Sequence, residues 1–321
     1  MGHLETVSPT INKSVNPTND VTMDGDSQII DEIPHDASNE PVTSPTSPGG
    51  GPESDAGRPG TAAHQGADLA ASTAVPEFPG LRTHGGRDVT PDDVKEVIRL
   101  LGEAGAPACV AGVYALRYFG AGRVSTEIDI CIPDEALDNA RVMFENDARF
   151  EEAPPAPPLM TSLRHTRPTF LMKGVYFVFI LIPASDYFID PSPDCCELSL
   201  KGIPYPKPHH FARSLLVLQN PSDLCDFIDG MDLDKDWGES NLNFDELQQK
   251  GIEFSRRQND VREQMGLGPL SLKLDVDYRA MWNTEVDEKE KRIEPMKKGR
   301  YKTRWRRIKN DMDPRLKDRP L

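Results

Sequence analysis

The most restrictive feature of this sequence is its first ninety residues, where proline is frequent and aromatic residues are nearly absent. Residues 1–90 contain ten of the chain's 29 prolines, and Phe78 is their single phenylalanine, tyrosine or tryptophan. Such a segment cannot bury enough apolar surface to offset the entropy lost on ordering. We therefore expect 1–88 to be a disordered, acidic, Pro/Ser/Gly-rich tail, with the folded body beginning at residue 89.

Charge is distributed unevenly along the chain. The net formal charge of −15 divides into −9 for residues 1–90, −15 for 91–288 and +9 for 289–321. The acidic body argues against general nucleic-acid binding, because neutralising phosphates requires a basic face. Within 289–309, Tyr301 and Trp305 stand among many Lys and Arg residues, which is compatible with binding nucleic acid or with a solvated basic tail.

The sequence also limits where the protein resides. The longest apolar run, 175–184, is about half of the ~20 residues that a spanning helix needs, so no membrane partner is expected. The N-terminus lacks a secretory pattern, and the five cysteines are an odd number without disulfide-framework spacing. We expect a cytoplasmic or nuclear protein with reduced thiols.

The start of the body shows an alternation of helix and strand signals. Thr90, followed by Pro91 and two aspartates, predicts the beginning of a helix. The apolar run 108–112 predicts a buried strand ending at Gly112, and a short helix follows it. Residues 125–133 alternate between apolar and polar, as a half-buried strand does.

Two carboxylates project from one face of this last strand. Alternation places Ile128 and Ile130 on one face and Glu127 and Asp129 on the other. Acids at i and i+2 lie ~7 Å apart, close enough to hold a hard cation such as Mg²⁺ between them. The alternative is an ordinary half-exposed strand whose polar face meets solvent.

The stretch VAGVYALRYFGAGRVSTEIDICIP, preceded by the helix signal, resembles the nucleotidyltransferase-fold family. The likeness is to its abortive-infection and aminoglycoside-adenylyltransferase-like branch, including fungal members, and it covers residues 90–135. It implies a minimal α/β domain with a mixed sheet and flanking helices. It also implies Mg²⁺ or Mn²⁺ and a nucleoside triphosphate, with transfer of a nucleoside monophosphate to a hydroxyl on a protein or small-molecule acceptor.

The resemblance also assigns roles to individual residues. The metal pair would be Glu127 and Asp129, and the nucleotide would be bound around Gly112, Val113, Arg123 and Ser125. Val113 stands where the family pattern has Gly or Ser, and Ser125 stands where it has Thr. Glu127 replaces an Asp, which moves its carboxylate one methylene further out.

A third catalytic carboxylate is harder to place. The expected later strand, 174–183, contains no acid, and Asp186 and Asp190 follow it. We take Asp186 as the third carboxylate. Two hypotheses for the function remain open: an active transferase, and a degenerate scaffold that has lost the chemistry. A third hypothesis is an RNA-associated factor that acts through the basic tail.

A cluster of basic residues precedes the expected strand 174–183. Arg164, His165 and Arg167 could form a phosphate- or acceptor-binding edge opposite the acidic pair, or simply end a polar strand.

The remaining sequence divides into three parts. We assign 89–205 to the nucleotidyltransferase-like α/β domain, 206–288 to a helical appendage and 289–321 to a basic tail. Helical patterns separated by Asn-Pro and glycine breaks support the appendage. Its large aromatic residues, Phe227, Trp237 and Phe244, are expected in the core.

Overall fold

The computed structural model describes residues 86–156, 158, 162–267, 272–298 and 312–318. The predicted disordered tail, 1–88, lies outside these ranges apart from its last three residues. The central part of the predicted basic tail, 299–311, also lies outside them.

The first helix begins where its sequence signals predict. Helix α1, Pro91–Glu103, is capped by Thr90, whose hydroxyl accepts from the backbone N–H of Asp93. The Asp93 carboxylate in turn accepts from the backbone N–H of Thr90 at 2.8 Å, which completes a capping box. Val97 and Leu101 bury the apolar face of this helix.

The described residues form seven strands in two sheets. Their bounds are β1 Cys109–Ala111, β2 Glu127–Ile132, β3 Phe150–Glu152, β4 Thr169–Met172, β5 Val178–Pro183, β6 Cys196–Leu198 and β7 Pro204–Pro206. The first five make one mixed sheet in the order β1-β2-β5-β4-β3, in which β2 and β5 run parallel and the other pairs antiparallel. Strands β6 and β7 form an antiparallel pair. The predicted mixed α/β sheet is confirmed.

The helices after α1 lie on the sheet or make up the C-terminal half. They are α2 Gly112–Tyr118, α3 Leu137–Asn146, α4 Ala184–Tyr187, α5 Pro208–Val217, α6 Pro221–Met231, α7 Lys235–Asn241, α8 Phe244–Gln264 and α9 Tyr278–Lys297. Short 3₁₀ turns include Arg164–Thr166 and Pro314–Leu316. The predicted helical C-terminal half is confirmed, and α9 runs across residue 289, where we expected a tail to begin.

The two faces of the sheet differ in chemistry. On one face, Ile128 neighbours Phe179, which pairs with Phe170, and the Phe170 ring lies 5.3 Å from Phe144 of α3. These side chains form a wholly apolar layer. On the opposite face, Asp129 neighbours Ile180. This second face carries the polar residues of β2.

Aromatic packing joins the C-terminal helices. Trp282 of α9 is fully buried and stacks on Trp237 of α7 with ring centroids 5.4 Å apart. Phe227 of α6 is also fully buried, and Phe244 at the start of α8 is nearly so. Two of the three aromatics expected in the core are therefore buried, and Trp237 is half-buried against it.

Across the part of the chain that the structure describes, no helix combines the length and the apolar character needed to traverse a bilayer.

Candidate functional site

The candidate site centres on the polar face of β2. Because side chains alternate along a strand, Glu127 and Asp129 project from the same face, as the sequence indicates. Asp129 is buried, with 6% of its surface exposed, whereas the Glu127 side chain keeps 30% of its surface exposed. One carboxylate of the pair is therefore at the rim and the other beneath it.

Gly112 lies directly against the buried carboxylate. Its φ of +58° falls in the left-handed region that favours glycine. A Cβ added there would overlap Asp129 Oδ2 and lie 3.1 Å from Asp129 Cγ. The turn from β1 into α2 thus requires glycine both for its backbone conformation and for the space that Asp129 occupies. Val113 follows within α2 and is half-buried.

The guanidinium of Arg164 lies between the two carboxylates. Its Nη1 donates to Glu127 Oε2 at 2.6 Å, and its Nε donates to Asp129 Oδ1 at 2.8 Å. Nη2 lies 2.6 Å from the same Asp129 oxygen. The 3₁₀ turn Arg164–Thr166, just before β4, presents this side chain, of which 15% is exposed.

Tyr187 holds the second oxygen of Asp129. The Tyr187 hydroxyl, at the end of α4, donates to Asp129 Oδ2 at 2.7 Å. Both oxygens of this buried carboxylate are therefore hydrogen-bonded, as a buried charge requires. Sequence inspection did not single out Tyr187, because 58 residues separate it from Asp129 and no local pattern links them.

Burial and pairing act in opposite directions on these groups. Burial raises the pKa of the Asp129 carboxyl, and the charge and hydrogen bonds of Arg164 together with the Tyr187 hydroxyl oppose that rise. Burial lowers the pKa of Arg164, but the charges of Asp129 and Tyr187 and the hydrogen bonds to Asp129 and Glu127 together outweigh it, and the pKa lies above its ordinary value. Burial also raises the pKa of the Tyr187 hydroxyl, with the Asp129 charge adding to the effect.

Asp186, expected as the third catalytic carboxylate, is engaged by a different arginine. It lies in α4 and accepts from Arg167 through both oxygens, with Nε at 2.6 Å and Nη2 at 2.8 Å. Gln258 of α8 lies 3.5 Å from the same carboxylate. Burial raises the pKa of Asp186, and Arg167 opposes the rise. Asp190 is exposed and accepts from the backbone N–H of Ser192 at 2.8 Å.

Arg123 and Ser125 have other contacts. Arg123, expected beside the acidic pair, instead pairs with Asp223 and Asp226 of α6, each at 2.6 Å. The Ser125 hydroxyl accepts from the backbone N–H of Glu127 at 3.0 Å. Ser125 thus supports the start of β2, and Arg123 joins the segment before β2 to α6.

The basic cluster before β4 divides between two acids. From the sequence, Arg164 and Arg167 were either an edge opposite the acidic pair or a polar strand end; in the structure, Arg164 pairs with Asp129 and Arg167 pairs with Asp186. Their spacing of three residues was the available signal. His165 lies between them, and its buried Nδ1 has no hydrogen-bond partner among the described residues.

The donor set can be compared with what a divalent cation needs. Mg²⁺ takes oxygen ligands in octahedral geometry, and a guanidinium already stands between the carboxylates that would supply them. Asp186 is bound to Arg167 instead of facing the pair. Within the described ranges, no group of three or more His, Cys, Asp or Glu side chains could hold a metal ion. In this arrangement the residues do not fit the cation that the resemblance implies.

Among known proteins, this chain is similar to solved structures of other proteins. No family model matches the chain. No curated protein matches it either. The antibiotic-resistance factor ANT(2'')-Ia is 10% identical, with a TM-score of 0.31 over 56% of this chain and 99% of the other. JHP933 from Helicobacter pylori is 12% identical, with a TM-score of 0.28 over 65% of this chain and 94% of the other.

A further similar structure is an H. pylori protein described as a nucleotidyltransferase candidate. It is 13% identical, with a TM-score of 0.29 over 64% of this chain and 96% of the other. At these TM-scores the three structures support no conclusion about the function of this chain.

Proposed function

We propose that this protein carries a nucleotidyltransferase-type α/β domain whose acidic pair stabilises the fold instead of supporting metal-dependent transfer, so that the protein acts as a binding scaffold. The position of Arg164 between Glu127 and Asp129 carries this proposal. The order of strand, glycine turn, short helix and acidic strand supports the domain type.

The energetics of the ion pair favour the scaffold. For a divalent cation to enter, Arg164 must leave the carboxylates, and breaking a buried pair costs about 3–5 kcal/mol. Since 1.4 kcal/mol is a factor of ten, this cost weakens the apparent affinity for the cation about 10²- to 10⁴-fold. Such a penalty disfavours the binding of a metal–nucleotide complex at cellular concentrations.

An active transferase is the second candidate. The packing of Gly112 against Asp129, together with the shared face of Glu127 and Asp129, is the observation that favours it. In this candidate the acidic pair would hold Mg²⁺ or Mn²⁺, with a nucleoside triphosphate as donor and a hydroxyl on a protein or small molecule as acceptor. Arg164 would have to leave the pair, and Asp186 would have to leave Arg167.

Thermal unfolding of the full chain separates these candidates. We would measure the melting temperature with each nucleoside triphosphate and Mg²⁺ or Mn²⁺, with Asp129→Asn as the control. Ligand at ~100-fold over its dissociation constant adds about 2.7 kcal/mol, or roughly 5–10 °C for a domain of this size. The scaffold predicts no metal-dependent shift. A shift that is lost in the control would replace it with the transferase.

Nucleic-acid binding through 289–309 remains a separate proposal, motivated by the charge and aromatic content of that segment. Two of its basic residues pair with acids outside α9: Lys289 pairs with Asp232, and Arg292 pairs with Asp229. The basic residues that such binding would use therefore lie mainly beyond Lys298. Salt-dependent RNA affinity that survives removal of residues 299–321 would count against this proposal.

A further inference from the structure

We infer that Arg164 is the resident cation of this site, and that removing its guanidinium uncovers a latent divalent-cation site formed by Glu127 and Asp129. The inference rests on the proposed function, because it assumes that the acidic pair of the wild-type chain holds no metal.

The contacts of Arg164 are those of a bridging cation. One planar group reaches Glu127 Oε2 at 2.6 Å and Asp129 Oδ1 at 2.6 and 2.8 Å. It thus joins both carboxylates from a single position between them. A divalent cation held by two carboxylates is likewise bound from a position between them.

The charge balance explains why the vacated site would take up a cation. With Arg164 in place, two carboxylates face one positive charge, and the pair retains a formal charge of −1. Without Arg164, Asp129 keeps its hydrogen bond from Tyr187 but loses its counter-charge inside the protein. An unpaired buried carboxylate is costly, so it must either take up a proton or bind another cation. A divalent ion would bring the pair to neutrality.

The ion pair between Arg167 and Asp186 provides a matched control. Arg167 and Asp186 form a second buried ion pair, in which the side chains are 14% and 7% exposed, against 15% and 7% for Arg164 and Asp129. Arg167 contacts both oxygens of one carboxylate, whereas Arg164 bridges two carboxylates. Arg167→Ala therefore removes an equivalent guanidinium but leaves a single acid where it stood.

The experiment measures Mn²⁺ binding and metal-dependent stability in full-length variants. Binding is followed by the loss of the free-ion signal in electron paramagnetic resonance, and stability by thermal unfolding with millimolar Mn²⁺. We expect Arg164→Ala to melt below wild type, to regain stability with Mn²⁺ and to bind one equivalent of the ion. Wild type, Arg167→Ala and the double variant Arg164→Ala with Asp129→Asn should gain nothing.

A second variant guards against loss of the fold. Arg164→Gln keeps a polar side chain beside Asp129 while removing the charge, and we expect it to bind Mn²⁺ more weakly than Arg164→Ala. A folded variant at position 164 that binds no Mn²⁺ would overturn the inference and leave the proposed scaffold intact. Equal Mn²⁺ binding by wild type and Arg164→Ala would also overturn it. A metal-dependent nucleotide shift in wild type would instead overturn the proposed function.

Discussion

Arg164 reaches Asp129 through two nitrogens, with Nε 2.8 Å and Nη2 2.6 Å from Asp129 Oδ1, although 35 residues separate them in the chain. The contact ties the 3₁₀ turn before β4 to the middle of β2. Because the same guanidinium also holds Glu127, the geometry of the acidic pair depends on a residue outside the strand that carries it.

Replacing Gly112 should be much more costly than replacing another glycine of positive φ. Gly105→Ala places a Cβ in open space at a φ of +78°, so its cost is the conformational strain of about 1–2 kcal/mol. Gly112→Ala adds an overlap with Asp129, and overpacking costs about 1–3 kcal/mol more. Urea unfolding of the two variants measures the difference in the free energy of unfolding. Equal losses would show that Asp129 does not lie against Gly112.

Removing the Tyr187 hydroxyl should destabilise the protein through Asp129. Tyr187→Phe takes a donor from a buried carboxylate, and a hydrogen bond to a charged group contributes about 1.5–3 kcal/mol. Tyr114→Phe is the matched change, because the Tyr114 hydroxyl donates to the neutral backbone carbonyl of Ser125. That loss should be about 0.5–1.5 kcal/mol. Chemical denaturation compares the two, and a larger loss for Tyr114→Phe would contradict the assignment.

The capping box of α1 should make stability depend on pH in the acidic range. The hydrogen bond from Arg87 is the main cause that lowers the pKa of Asp93 from 3.8 to about 2. Since the folded-state pKa lies below the unfolded value, the carboxylate stabilises the fold above pH 3.8, and this contribution disappears as the pH falls through about 2. Asp93→Asn should cost about 1 kcal/mol at neutral pH and progressively less on acidification.

The free energy of unfolding, measured in guanidinium chloride from neutral to acidic pH, tests this dependence. Asp92→Asn serves as control, because it removes a charge from the same helical turn at a side chain that is 86% exposed. Its cost should be a few tenths of a kcal/mol. A cost for Asp93→Asn that stays constant across the acidic range would argue against the ion pair with Arg87.

The end of α9 should contribute more to stability than the residues that follow it. Arg292 donates to both oxygens of Asp229, at 2.9 and 3.0 Å, and the Asp229 side chain is fully buried. A chain ending at Glu288 loses this partner, and removing one member of a buried ion pair costs about 3–5 kcal/mol. A chain ending at Lys298 keeps it. Thermal unfolding should show a large loss for the shorter chain and a small one for the longer.

This difference also decides how RNA binding is tested. Deleting all of 289–321 would weaken the fold as well as remove the basic residues, so lost RNA binding would have two explanations. The chain ending at Lys298 removes the bases beyond α9 and retains Arg292. If the basic segment binds RNA, that chain should lose salt-dependent affinity without losing the fold. Full-length protein without RNA affinity would end the proposal.

Features specified by neighbouring residues could be predicted from the sequence. Helix α1 follows from Thr90, Pro91 and Asp93, which cap and begin it locally. Strand β2 follows from its strict alternation, which also places Glu127 and Asp129 on one face. These signals act over a few residues, and the fold need not be known to interpret them.

Features that depend on distant contacts could not be predicted in this way. The two arginines before β4 were visible as a cluster, but which acid each one binds is decided by how β4 and β5 pair. Helix α9 was missed at its far end because a run rich in Lys and Glu, with Pro295 inside it, resembles a charged tail. Its anchor, Arg292, finds its partner on α6 only after folding.

The most direct test of the account observes the Arg164 side chain itself in solution. The ¹⁵N–¹H signal of its Nε can be identified by its loss in Arg164→Lys and followed while Mn²⁺ and ATP are added to the full-length protein. We predict a slowly exchanging signal that neither shifts nor broadens, because the guanidinium stays on Glu127 and Asp129. Selective broadening by Mn²⁺ with ATP, absent in Asp129→Asn, would show that metal and nucleotide enter the acidic pair, and would contradict the scaffold.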